Sequence, residues 1–164
     1  MTSKTLLFDL RNAYESLLIS GPDAANFLQA QLPIDIKGIA TGYARWTCWA
    51  DAKGRVRAMF HVGQIADDQW VLIAAPDHQA ALRKIAMFVL RAQVQLGSGP
   101  DLLGALHDGG ARPTACLARL QLSCGRSIYV GPNEPPANLM DPAQWRSVCA
   151  VSYTHLRAHE TSLH

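Results

Sequence analysis

Charge is scarce in this chain and none of it is concentrated. Fifteen Lys and Arg face thirteen Asp and Glu over 164 residues, for a net +2, without a run of either sign. That excludes the basic footprint of a dedicated nucleic-acid binder and leaves room for a single anionic ligand. Cysteine is sparse as well: Cys48, Cys116, Cys124 and Cys149 lie far apart, with no CxxC pair and no secretory leader. A disulfide framework or a structural zinc is therefore not expected, and a reducing cytoplasm is the simplest setting. No apolar run approaches the roughly 20 residues that a membrane helix needs. No long polar tract marks disorder. What the chain does have is apolar mass, 49% of its residues, enough for the core of one domain or of part of a larger protein.

The apolar residues fall into recognisable periods. Tyr14 to Ser20 is β-prone. SGPDAANFLQAQL follows, with Pro22 suited to a first helical position, Asp23 to the positive helix end, and Ala24, Phe27, Leu28 and Gln31 at helical spacing; it predicts a helix over Pro22 to Leu32, stopped by Pro33. Three strands are predicted next, Ala44–Ala50, Arg55–Ile65 and Gln69–Ala75, and the short separators DAKG and ADD make them an antiparallel meander. Strict alternation in the middle strand would put Arg55, Arg57, Met59 and His61 on one open face and Val56, Ala58, Phe60 and Val62 on the core face. PDHQAALRKIAMFVLRA predicts a second helix with Leu82, Ile85 and Val89 inward, and VQL a closing strand.

The order β, α, β, β, β, α, β predicts an α+β fold: a ferredoxin-like split βαβ layer with an antiparallel sheet and two main helices. Residues 1–100 would form this domain and 101–150 a partial second segment, in which LLGALHD, CLARLQL and SIYV are strand candidates and GPNEPPANLMDPAQW is a Pro-rich loop.

The series LLISGPDAANFLQAQLPIDI, WADAKGRVRAMFHV and WVLIAAPDHQAALRKIAMFVLRAQVQL resembles the N-terminal part of the YgfZ group, folate-binding proteins related to the glycine-cleavage T-protein, an aminomethyltransferase. The resemblance covers about Leu17 to Leu96. It implies a multi-domain fold of which this chain holds only the first part. In the aminomethyltransferases the strand after Lys53 and Gly54 carries two acidic residues, one of which positions folate and the reacting amine; here the matching positions are Ala58 and Met59. Loss of that carboxylate favours the non-transferase branch. The resemblance thus implies a tetrahydrofolate-binding factor that supports iron–sulfur enzymes and some tRNA thio-modification, with possible iron–sulfur protein partners and no direct contact with nucleic acid or membrane. The alternative is a folate-dependent aminomethyl transferase. The hallmark KGCYxGQE segment of the YgfZ group does not occur, and QWRSVCA resembles the start of the segment leading toward it. With part of the family's cavity missing, this chain is expected to bind folate weakly or not at all, and to self-associate through exposed apolar surface.

The cofactor-binding candidates are Asp35, Lys53, Arg57, Met59 and His61. Asp35 is either a ligand contact or a turn residue bonding its own backbone. Lys53, with Gly54, is first a hairpin tip, and a place beside folate is the alternative. The arginines and His61 would meet the glutamate carboxylates or solvent, and Met59 would mark the cavity wall. Trp46, Trp49 and Trp70 offer faces for a pterin or belong to the core. No catalytic or metal-ligating residue is expected. His155, His159 and Glu160 have helical metal-ligand spacing, but Val151 to Thr161 resembles a translated transposase-type sequencing adapter, so residues 151–164 are expected to be a non-native tail.

Overall fold

The computed structural model describes residues 5–74, 76–106, 116–122, 125–131, 138–147 and 149. Among the described residues, strands and helices follow one another as β1 (Leu6–Asp9), β2 (Glu15–Ser20), α1 (Ala24–Gln31), β3 (Ala44–Ala50), β4 (Val56–Ala66), β5 (Gln69–Ala74), α2 (Gln79–Ala86), β6 (Gln95–Ser98), β7 (Leu102–Leu106), β8 (Ala118–Gln121) and β9 (Arg126–Val130), with a 3-10 turn at Pro76–His78 before α2 and a helical segment at 142–147 after β9. The class is α+β, with two antiparallel sheets. Every strand and helix expected between Tyr14 and Leu96 is present.

The larger sheet has the order β3-β4-β5-β2-β6. Strand β5 thus lies between β2 and β4, and β2 between β5 and β6, so the two halves of the chain interleave. One face carries Ile19, Ala58, Phe60, Val62, Trp70, Leu72 and Ala74, which bury against Ala24, Phe27 and Leu28 of α1 and Ala81, Leu82 and Ile85 of α2. Helix α1 ends where Leu32 turns extended before Pro33, its N–H still bonded to the Leu28 carbonyl. At the other end the Asp23 carboxylate does not cap its own helix; it accepts the Gln93 N–H at 2.8 Å and ties the helix to the strand-leading loop. Helix α2 stops at Ala86, short of the helix expected through Arg91. Leu82 and Ile85 are inward as expected, while Met87, Phe88 and Leu90 are exposed on the unwound continuation.

A second sheet, β1-β7-β9-β8, covers the opposite face. Phe8, Leu102, Leu120, Ile128 and Val130 pack there with Ala44, Ile65, Val71 and Ile73 of the first sheet. This overturns the expectation that the Arg57–His61 face of β4 is open: His61 is buried and Ile65 is core. The boundary expected near residue 100 falls between β6 and β7, yet β1 from the chain's start pairs with β7, Leu6 opposite Leu106. The helical residues 142–147 close this layer, Asp141 Oδ1 accepting the Ala143 N–H at 2.7 Å. Trp145 is fully buried there, its ring 5.3 Å from that of Phe8. No helix among the described residues is long and apolar enough to cross a membrane. Cys124, His155, His159, Glu160 and the adapter-like tail lie outside the described residues.

Candidate functional site

A groove of about 670 Å³ opens where the end of α1, the β3–β4 hairpin, the 3-10 turn and α2 converge. Five alanines line it, Ala30, Ala50, Ala52, Ala80 and Ala81. The larger lining side chains are Trp49 and Phe88, Arg57 and Lys84, Gln31 and His78, and Asp51 and Asp77. Trp49 and Phe88 meet edge to face, ring centroids 6.0 Å apart, and Phe88 remains half exposed. The two rings thus offer flat apolar surface to a ligand.

The hairpin is organised by one carboxylate. Asp51 Oδ1 accepts the backbone N–H groups of Lys53 (2.9 Å) and Arg55 (3.0 Å), and Oδ2 accepts Nε–H of Arg55 (2.9 Å) and of Arg57 (3.0 Å). These N–H groups, that of Arg55 foremost, hold the Asp51 pKa below the usual carboxylate value, so the clamp is anionic at neutral pH. Gly54, at φ +76°, makes the tight turn. The register slips here: Trp49 pairs with Ala58 but Ala50 pairs with Val56, leaving Arg57 as the extra residue of a β-bulge. A bulge re-aims its side chain. Strict alternation therefore fails at this point: Val56 is exposed, Arg57 turns to the groove, and Met59 and His61 stay on the opposite face.

Of the five residues expected from the sequence, only Arg57 lines the groove. Lys53 is exposed at the hairpin tip. Asp35 is exposed in the turn after α1, away from the groove lining, and lies so close over Gly38 that a Cβ there would sit 2.5 Å from Oδ2. Gln29 holds that turn, donating to the Ile34 carbonyl at 2.8 Å and accepting the Ile36 N–H at 2.9 Å. Met59 is half-buried opposite Cys48. His61 is enclosed between the sheets against Trp46; burial first, and the charge of Arg126 second, push its pKa down to about 3. Asp51, Lys84 and Phe88 were missed. An Asx-turn reading of D-A-K-G-R, with Asp first and Gly fourth, would have found Asp51.

Trp49 belongs to the groove, Trp46 to the far face of the sheet, and Trp70 to the core. Among the described residues no cluster of three His, Cys, Asp or Glu could hold a metal, and Cys48, Cys116 and Cys149 are unbridged. Chemically, the groove pairs aromatic surface with two cations. Counting the arginines tied to its rim, Arg55 on Asp51 and Arg146 on Asp77 (2.9 Å each), cations outnumber carboxylates. It suits a ligand with a flat ring and an anionic end.

The fold resembles part of that of an aminomethyltransferase: the crystal structure of the glycine cleavage system aminomethyltransferase T from Bartonella henselae superimposes with a TM-score of 0.60 at 15% identity, over 80% of this chain and 43% of that one. In sequence, 66 residues are 41% identical to an aminomethyltransferase of Lysinibacillus sphaericus, 40% of this chain and 18% of that protein. A longer stretch of 129 residues is 30% identical to an uncharacterized protein of Haemophilus influenzae, 76% of this chain and 45% of that protein. No family model matches. The chain spans less than half the length of each of these proteins.

Proposed function

We propose that this chain is the folate-binding N-terminal part of a YgfZ-type factor, a cytoplasmic protein that supports iron–sulfur enzymes and tRNA thio-modification, with tetrahydrofolate as its ligand. The observation that carries the reading is at β4. In a fold like that of an aminomethyltransferase, the positions matching the transferase acids hold Ala58, fully buried in the helix-side core, and Met59. A folate carries the two features the groove accommodates, fused rings for Trp49 and Phe88 and glutamate carboxylates for Arg57 and Lys84. A second reading, a folate-dependent aminomethyl transferase, is favoured by the 41% identity to a protein of that name.

Titration of the 164-residue chain with tetrahydrofolate, followed by NMR, tests both. The open groove makes binding weak, and chemical-shift mapping detects weak binding. The factor reading expects shifts at Trp49, Phe88 and Arg57 and, in a parallel sample that also receives an aminomethyl donor, no one-carbon transfer from that donor to folate. Measured transfer would replace it with the second reading. An unresponsive groove at the highest folate concentration added would remove the groove of this chain as a folate site.

A further inference from the structure

From the bulge and the carboxylate bonds at the hairpin we infer that Asp51 is the positioning residue of an anion fork: it holds Arg57, with Arg55 beside it, so that the free ends of the guanidinium groups receive a carboxylate at the groove mouth. The inference rests on the groove being the ligand site, and it adds a role to a residue of the same sign as the ligand. An acid beside an anion site is at first sight a liability, since like charges repel. Its bonds explain its presence. Oδ2 takes the Nε–H of both arginines and neither terminal nitrogen. The outer N–H donors of Arg57 therefore stay available in the fork geometry that matches a carboxylate. The bulge contributes independently, because without the extra residue Arg57 would face the other side of the sheet with Met59. The side chain of Asp51 is mostly covered while those of Arg55 and Arg57 are about half exposed or more. The acid is thus inside the cluster and the cations outside.

The opposing expectation is simple charge counting, under which removing Asp51 strengthens anion binding. Asp51→Asn separates the two. Its amide oxygen can still accept the Lys53 and Arg55 backbone N–H groups, so the turn is kept, but the anionic clamp on the guanidinium groups is gone. The experiment follows Arg Nε–H resonances of the full chain by NMR while citrate, a small tricarboxylate, is added, in the native sequence, Asp51→Asn and Arg57→Lys.

The native chain should show an Arg57 shift that saturates. Asp51→Asn should weaken the apparent Kd about tenfold, the loss of one charge-assisted arrangement, and Arg57→Lys should do likewise, both with thermal midpoints near the native one. Citrate binding that is unchanged or tighter in Asp51→Asn overturns the inference, as does a native chain that ignores citrate. A tetrahydrofolate competition separates this inference from the functional reading. Asp51-dependent citrate binding that folate does not displace keeps the fork and removes folate. Folate binding that is indifferent to Asp51→Asn keeps folate and removes the fork.

Discussion

The imidazole of His61 lies against the indole of Trp46, ring centroids 4.2 Å apart and planes inclined by 54°. The contact sits at the inner face of the larger sheet, and Nδ1 of His61 has no hydrogen-bond partner there. Burial, reinforced by Arg126, depresses the pKa from 6.5 to about 3. The unfolded chain therefore takes up a proton near pH 6.5 that the folded chain refuses until about pH 3. The stability from this group is fully present above the unfolded value and is lost as pH falls through that window, on the order of 5 kcal/mol in all. His61→Phe should hold its urea midpoint better than the native chain between pH 7 and about pH 4. Parallel declines of the two proteins would refute this.

Gly104 on β7 is fixed by Trp145. A Cβ at residue 104 would lie 2.8 Å from Cε3 and 2.9 Å from Cδ2 of that indole. Alanine normally suits a strand better than glycine, so the sign of the effect is diagnostic. Gly104→Ala should destabilise by about 1–3 kcal/mol through overpacking, and Trp145→Ala by about 3–5 kcal/mol through the cavity it leaves. In the double variant the glycine substitution should become nearly neutral, a coupling that chemical denaturation of the four proteins measures directly. Additive losses would mean that the ring does not rest on Gly104.

The fold was legible wherever one period governed a segment. Pro22 and Pro33 bracket α1, and the meander follows from DAKG and ADD, because turn residues and alternation are local signals. What escaped was non-local. Nothing around Leu6–Asp9 announces a partner at Leu102–Leu106, so β1 was not foreseen, and with it the second sheet that closes over His61. The helix at residues 142–147 hid in a proline-rich stretch whose Pro142 opens it. At the site, sequence reasoning found Arg57 but assigned it to the wrong face. A bulge shifts parity by one residue and leaves no mark in the apolar pattern.

Met87, Phe88 and Leu90 leave the end of α2 with 77%, 51% and 84% of their surfaces exposed. Three large apolar side chains within four residues form a patch that favours association. Replacing Met87 and Leu90 by Lys, and sparing Phe88 because it lines the groove, should convert a concentration-dependent sedimentation profile into a monomeric one without lowering the thermal midpoint. A native chain that sediments as a monomer at about 100 μM would show that the patch is too small to drive contact.

Ala58 and Met59 are adjacent in sequence, yet the strand sends them to opposite sides, and this decides where an acid could act. Ala58 is fully buried, faces the helices and pairs across the sheet with Trp49 of the groove wall. Met59 is half-buried and pairs with Cys48. Ala58→Asp places a carboxylate in the apolar core and should destabilise by roughly 3 kcal/mol or more. Met59→Asp, reaching partial solvent, should lose about 1 kcal/mol. Neither variant should gain aminomethyl transfer, the first because its acid is buried in the helix-side core, the second because it points away from Arg57 and Phe88. Turnover in Met59→Asp would put the reacting ligand on the far side of β4 and displace the groove as the site.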